Sequence, residues 1–143
     1  MWRELILGVT DKARFADPAE SDQIEVVERE LGVRLPRDLA GLLGETNGVT
    51  DEYGGGLIWQ SERIASDNRT FRGSSSLTEL YMPFDALLFF ADAGNGDQFA
   101  FPITGVGPRD DVFVWDHEDD SRRWYAGSLE QYLVWWLGGD HPI

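Results

Sequence analysis

Two pairs of apolar, aromatic segments in the second half of the sequence restrict the fold more than any other feature. "LLFFADA" and "QFAFPI" flank a short glycine-rich stretch, and "DVFVWDHE" and "RRWYA" flank "DDS". Aromatic and β-branched residues favour strands, and a few glycine, asparagine or aspartate residues between two such runs are typical of a hairpin turn. The pattern therefore predicts two β-hairpins and, with them, a mainly antiparallel sheet.

Segments with helical periodicity precede and follow these strands. "ESDQIEVVEREL" predicts a helix that stops at Gly32, and "LPRDLAGLLGETNG" predicts a second one with Pro36 in its first turn and its exit at Asn47–Gly48. Their short connection suggests that the two helices pack as neighbours. "SERIASDNRTFR" predicts a helix capped by Ser61, and "SLEQYLVWWL" a last one capped by Ser128.

The order of these segments predicts the fold class. "GSSSLTELYMPFD", between the third helix and the first hairpin, is expected to be a loop. Helices first, strands in the middle and a final helix are typical of an α+β fold. We therefore expect a single domain over residues 1–143, with a mainly antiparallel sheet and helices packed on one side.

Composition narrows the function classes. The sequence has no cysteine, which excludes disulfides, thiolate metal sites and a cysteine nucleophile. Its N-terminal apolar stretch is short and contains Glu4, unlike a secretory signal, and nowhere does an apolar run approach the ~20 residues of a membrane span. These features predict a soluble, cytoplasmic protein.

The net charge of −14 is the strongest global signal for a partner. The chain has 26 acidic residues against 12 lysines and arginines, and Lys12 is its sole lysine. Nucleic acids and anionic membranes attract clustered cations, and the longest basic run here is Arg122–Arg123, so both are poor partners. A basic protein would be attracted. The same charge would also serve solubility alone, and composition leaves both interpretations open.

Asp92 and Asp97 flank the glycine-rich turn of the first hairpin, and four interpretations compete. A calcium loop would need oxygen ligands where glycine and isoleucine stand, and a phosphate cradle would need a following helix. A catalytic carboxylate pair would need burial, whereas this turn is expected to be exposed. We therefore predict a structural turn in which Asn95–Gly96 takes positive φ and Asp97 bonds its local backbone.

The "WDHEDD" segment raises the question of a metal site at His117. Neighbouring strand residues point to opposite faces, and the other histidine, His141, lies in the C-terminal tail, so ligands are not expected to converge. We predict an acidic hairpin tip without a metal. "GGG" and "GSSS" match no phosphate or nucleophile motif, and Trp135–Trp136 is expected to pack in the core. No cofactor and no catalytic residue is predicted.

Taken in order, these segments resemble the SUKH superfamily, the Smi/Knr-like domain, from about residue 20 onward. The "ELGVRLPRDLAGLLGETNGV" stretch carries the most specific motif, followed by the "GNGD" hairpin, the "VWDHE" strand and the "GSLEQYL" helix. Pro102 departs from the pattern, because an acidic residue is common there. The matching positions are Leu31, Gly32, Leu35, Pro36, Asn47, Gly48, Gly94, Gly96, Asp97, Trp115, Asp116, His117, Ser128, Leu129 and Leu133.

The resemblance implies a non-enzymatic binding domain. Bacterial members resemble immunity proteins that neutralise polymorphic toxins, often nucleases, and fungal relatives resemble regulatory interaction proteins. The resemblance therefore suggests a cognate toxin as the partner, the net charge favours a basic one, and an endogenous protein is the alternative. In this hypothesis an aromatic anchor and surrounding carboxylates near the hairpin end bind the partner; the alternative is a core tryptophan with acids that only solvate an edge. The candidate partner-binding residues are Asp97, Trp115, Asp116, Glu118, Asp119 and Asp120.

Overall fold

The computed structural model describes residues 1–139, which form six helices and eight strands. The helices are α1 (Trp2–Val9), α2 (Ser21–Leu31), α3 (Arg37–Leu43), α4 (Ser61–Gly73), α5 (Ser75–Leu80) and α6 (Leu129–Gly138). The strands are β1 (Arg14–Phe15), β2 (Val49–Thr50), β3 (Gly56–Ile58), β4 (Leu87–Asp92), β5 (Gln98–Thr104), β6 (Gly107–Pro108), β7 (Val112–Trp115) and β8 (Arg122–Ala126). The predicted α+β class is confirmed. Within these residues no helix is long and apolar enough to cross a bilayer.

Both predicted hairpins are present and pair in one antiparallel sheet. The strand order is β4-β5-β7-β8, and β6 pairs with the end of β5. A smaller antiparallel sheet, β1-β2-β3, lies beside it. The backbone N–H of Trp59 donates to the carbonyl oxygen of Phe90 over 2.7 Å, which ties the end of the smaller sheet to β4.

Helices cover the larger sheet on both faces, which is more cover than the one-sided arrangement expected from the sequence. Phe89 and Phe90 are adjacent on β4 and both fully buried. The Phe89 ring packs against Phe71 of α4, with ring centroids 4.9 Å apart, whereas the Phe90 ring packs against Tyr132 of α6 at 5.3 Å. On β5, Ala100 pairs with Phe89, whereas its neighbour Phe99 packs against Tyr132. Because successive residues of a regular strand point to opposite faces, α4 and α6 lie on opposite faces of the sheet.

The first two predicted helices are confirmed, with two differences. Gly32 ends α2 in the left-handed conformation, φ +68°, as expected. Helix α3 ends at Leu43, before the predicted exit, because Gly44 is its C-cap; Gly48, φ +97°, instead turns the chain into β2. Helix α2 packs mainly on α4 rather than on its sequence neighbour α3.

The caps and the predicted loop also differ from expectation in part. Ser128 caps α6 as predicted, because its side chain accepts from the N–H of Gln131. Ser61 is the first residue of α4 and not its cap; its own N–H donates to Asn47 Oδ1 over 2.8 Å. The segment predicted as a loop contains α5, whose Leu77 packs against the core although none of its residues is fully buried.

Asn68 of α4 covers the free edge of β4 next to the site described below. This buried side chain donates from Nδ2 to the carbonyl oxygen of Phe89 over 2.9 Å and accepts from the N–H of Phe89 at Oδ1 over 2.8 Å. A side chain thus takes the place of a further strand and satisfies buried backbone groups that would otherwise be unpaired.

Candidate functional site

The carboxylate of Asp97 joins the two hairpins. Its Oδ1 lies 2.7 Å from His117 Nδ1 and accepts a second hydrogen bond from the backbone N–H of His117 over 3.1 Å. A carboxylate only accepts hydrogen bonds, so the imidazole proton is placed on Nδ1. The turn between β4 and β5 is therefore fixed to the residue pair that follows β7.

Gly96 provides the space for this contact. Its φ of +96° is rarely adopted by residues with a side chain, and a Cβ added there would lie 2.8 Å from His117 Cε1. Gly94 has a similar φ of +92° but nothing within 4 Å of its added Cβ. Two glycines in one turn are therefore needed for different reasons, one for backbone conformation alone and one also for the imidazole ring.

The six residues between β7 and β8 form a closed turn held by their own acids. The N–H of Asp116 donates to the carbonyl oxygen of Ser121, and that of Asp120 donates to the carbonyl oxygen of Asp116, both over 2.9 Å. Asp116 Oδ1 accepts from the N–H of Glu118 over 2.8 Å, and Asp119 Oδ1 accepts from the N–H of Ser121 over 2.9 Å. Asp120 has φ +60°, a left-handed conformation that aspartate tolerates.

Asp120 and Arg122 bind the segment that follows α5. The Trp115 indole N–H donates to Asp120 Oδ1 over 2.8 Å, and the backbone N–H of Met82 donates to Asp120 Oδ2 over 2.9 Å. The guanidinium of Arg122 donates to the carbonyl oxygens of Met82 and Pro83 and to Asp120 Oδ1. The Tyr81 hydroxyl donates to the carbonyl oxygen of His117 over 2.9 Å. We call these contacts among residues 81–83 and 115–122 the loop lock.

An aromatic cluster beneath the loop lock explains why this segment stays in place. The rings of Tyr81 and Phe84 lie 5.2 and 5.3 Å from the Trp115 ring, measured between centroids. Phe71 and Phe89 complete the cluster at 5.9 and 5.8 Å from the same ring. Edge-to-face aromatic pairs of this kind each contribute about 0.5–1.5 kcal/mol beyond their burial.

Hydrogen bonds and nearby charges in and beside the loop lock shift the pKa values of Asp119, Asp120 and His117. Burial opposes ionisation of Asp120, but the hydrogen bonds from Met82, Trp115 and Arg122 outweigh it and hold the pKa of Asp120 below its usual value. The backbone N–H of Ser121 lowers the pKa of Asp119. The hydrogen bond to Asp97, opposed by desolvation and reinforced by nearby acidic charge, raises the pKa of His117. Both aspartates are therefore held in the charged form at neutral pH.

The six candidate binding residues separate into two groups. Asp97, 6% exposed, and Trp115, 4% exposed, are buried, so neither can anchor a partner at this surface as hypothesised. Asp120 is half-buried and engaged by three donors. Glu118 and Asp119 are exposed.

Asp116 is half-buried, and its Oδ1 holds the turn through Glu118. The carboxylate of Glu118 is the one in this turn without a hydrogen bond to any part of residues 1–139. The segment is an acidic hairpin tip, as predicted, but most of its acids first hold the tip together.

The expectation that potential metal ligands stay apart is wrong. Asp97, Asp116 and His117 each offer a donor atom within 4.8 Å of the others. Strand alternation does not separate them because β7 ends at Trp115 and the next residues form a turn. Asp97 Oδ1 and His117 Nδ1 already share a proton over 2.7 Å, so a cation bound by both atoms would have to displace it. His141 lies outside the described residues.

The interpretation of the first hairpin turn needs a further correction. Positive φ occurs at Gly94 and Gly96 and not at Asn95, and Asp97 is buried rather than exposed. The local hydrogen bond runs from the N–H of Asp97 to Asn95 Oδ1, while the Asp97 carboxylate reaches His117. Asp92 forms a separate bidentate pair with Arg63, with distances of 2.8 and 2.9 Å. The two carboxylates therefore do not form one site.

Other sequence features have structural roles or lie apart from this site. Trp135 and Trp136 are half-buried and pack against the core, as predicted. Arg122, Tyr81 and Met82 belong to the site but were missed. A signal was available, because Leu80, Tyr81 and Met82 place three large apolar side chains in a segment otherwise rich in serine.

These features define a class of protein. It is an α+β domain in which the glycine, aspartate, tryptophan and histidine residues of the sequence motif have a structural role, because their contacts hold the hairpins in place. A comparison with protein families matched the SUKH family described as SMI1-KNR4 cell-wall over residues 21–133. The match covers well over half of the chain, so the chain belongs to this family. Domains of this family are generally non-enzymatic, and membership is consistent with an immunity-type protein-binding role. A comparison with curated proteins gave no significant match.

The two glycines of the first turn give a matched test of the contact with His117. Gly94→Ala should cost about 1–2 kcal/mol of unfolding free energy, the cost of a left-handed alanine. Gly96→Ala should cost at least about 1 kcal/mol more, because the imidazole must move. In a His117→Ala background this extra cost should disappear, as urea unfolding of the double-mutant cycle would show. Equal costs for the two glycines in the native background would contradict the contact.

The pairing of His117 predicts its titration. Its folded pKa is raised, so the pair's contribution to stability is fully present below about pH 6.5, the unfolded value, and is lost as pH rises through the folded pKa. NMR titration should give a pKa above 6.5 for His117 and show the proton on Nδ1 in the neutral form. Asp97→Asn should return the pKa toward 6.5. A native pKa at or below 6.5 is incompatible with the pair.

Proposed function

We propose that this protein is an immunity protein that binds a cognate toxin directly and blocks its action. Family membership supports a binding role, and the net charge of −14 is the observation that carries the choice of partner. A toxin that acts on nucleic acid needs a basic surface, and an acidic protein can occupy that surface by presenting negative charge in place of phosphate. The proposed partner is therefore a basic toxin, and a nuclease is the class of toxin that this charge argument favours.

In the proposed complex, the acidic charge that meets the toxin lies on the ordered turn between β7 and β8 rather than on a flexible segment. Glu118 and Asp119 are exposed on a turn whose backbone is held by hydrogen bonds to Asp116 and from Asp120 and Ser121. A turn already ordered before binding loses little conformational entropy when a partner docks. Charge held in this way mainly accelerates association and makes it sensitive to salt.

Binding to the toxin domain encoded by the adjacent gene tests the proposal. We expect a roughly nanomolar Kd, loss of toxicity on mixing, and slower association when sodium chloride is raised from about 0.05 to about 0.5 M. Glu118→Lys should slow association at low salt at least about threefold. The matched control is Glu25→Lys, the same charge reversal at an exposed position on α2.

Each outcome decides a different part of the proposal. Tight binding with an effect confined to Glu118→Lys supports both the function and the hairpin tip. Equal effects of the two reversals would move the binding surface away from the tip and leave the function standing. Absence of both binding and neutralisation would contradict the immunity function.

A second candidate is a regulatory interaction domain with a partner from the same cell. The matched family is described by a reference to the cell wall, which favours this alternative over an enzyme. A gene neighbourhood without toxin genes, together with a stoichiometric endogenous partner recovered from the native cells, would select it.

A further inference from the structure

We propose that Leu80 and Met82, together with the exposed acids of the neighbouring turn, form the contact surface for the partner, and that this partner presents an apolar recess ringed by lysine or arginine. The inference rests on the proposed function and specifies its interface. We call this surface the Met82 face; it consists of Leu80, Met82, Glu118 and Asp119.

Two large apolar side chains are exposed here beside residues that pack against the core. Leu77 and Tyr81 are one helical turn apart, and both pack against the core. Leu80, the last residue of α5, is nevertheless 74% exposed, and Met82 beyond the helix is 60% exposed. Single exposed apolar residues are ordinary, but two within three residues, on a chain with a net charge of −14, form a patch.

The loop lock connects this patch to the acidic turn. The backbone N–H of Met82 lies 2.9 Å from Asp120 Oδ2, and the Tyr81 hydroxyl reaches the carbonyl oxygen of His117, the residue before Glu118. Arg122 holds the carbonyl oxygen of Met82 over 2.8 Å. The apolar side chains and the acids therefore stand on one rigid surface whose main chain is fixed before any partner binds.

The charges around the patch determine the chemistry of the partner. Residues 79–85 and 116–121 contain carboxylates and neither lysine nor arginine: Glu79, Asp85, Asp116, Glu118, Asp119 and Asp120. Arg122 directs its guanidinium to Asp120 and to backbone carbonyls, and Arg123 partly offsets Asp119. An apolar centre within an acidic surround is complementary to an apolar recess within a basic surround.

Other exposed apolar residues do not offer the same combination. No two of the others in residues 1–139 lie within three residues of each other in sequence: they are Met1, Leu7, Val26, Tyr53, Val106, Trp124 and Val134. Interface energy concentrates in a few anchored side chains, so a rigid apolar pair is better suited to act as the anchor than scattered single residues. Leu7 and Val26 instead provide a matched control.

The first test uses variants of the native chain against the toxin domain encoded by the adjacent gene. Leu80→Gln with Met82→Gln should weaken binding at least about tenfold, mainly through faster dissociation, because both anchors lose their apolar contact. Leu7→Gln with Val26→Gln changes a similar apolar surface elsewhere and should alter the Kd less than about twofold. Circular dichroism and thermal unfolding should be unchanged for both pairs, since all four side chains are exposed.

The second test needs no substitution, because the chain has two methionines and both are exposed. Met1 is 70% exposed and Met82 60%, so hydrogen peroxide should oxidise both in the free protein. In the complex, mass spectrometry should show Met82 protected at least about fivefold while Met1 oxidises as before. This comparison holds even if a variant were to lose its fold.

The outcomes separate this inference from the proposed function. Tight binding by the native protein, with Met82 oxidised as fast as in the free chain and Kd unaffected by the Leu80 and Met82 substitutions, overturns the Met82 face and leaves the function intact. Absence of binding by the native protein overturns both. Protection of Met82 together with a selective loss of affinity establishes the face.

Discussion

A single carboxylate, that of Asp97, bonds the two hairpins to each other beyond the pairing of their strands. It accepts both the backbone N–H and the imidazole Nδ1–H of His117, so the turn of one hairpin is bonded to the end of a strand from the other. Gly96 leaves room for the imidazole ring. From this junction Trp115, Asp120 and Arg122 extend the bonding to the segment that follows α5, and an aromatic cluster fills the space beneath. Part of the SUKH pattern lies at this junction: Gly94, Gly96, Asp97, Trp115, Asp116 and His117.

Most acids of the segment between β7 and β8 have a structural role, which limits how many of them are available to bind a partner. Asp97, Asp116, Asp119 and Asp120 each accept hydrogen bonds that shape the protein, so their presence in the sequence is explained before any partner is considered. The features available for binding a partner are the excess negative charge on the surface and the exposed side chains beside the junction. A scaffold fixed by internal contacts can vary its outward side chains without losing its fold.

The local parts of the structure could be predicted from sequence, and the site could not. The hairpins and α2 are recognisable because alternation, helical spacing and Gly32 are local signals. The pairing of Asp97 with His117 spans 20 residues, and that of Met82 with Asp120 spans 38, so neither leaves a pattern within one segment. Helix α5 was missed because its serine-rich sequence has a thin apolar stripe; Leu77 and the neighbouring Tyr81 stabilise it through the core. Trp115 was offered as a surface anchor because alternation alone does not reveal which face is covered.

Amide hydrogen exchange of the native protein tests most directly whether the junction is a rigid scaffold. The N–H groups of His117 and Met82 lie outside the strands and donate to the carboxylates of Asp97 and Asp120. If these carboxylates hold the structure, both amides should exchange as slowly as those of β7, and Asp120→Ala should accelerate Met82 while His117 stays protected. Exchange of both amides in the native protein at the rate of an unstructured chain would contradict the account.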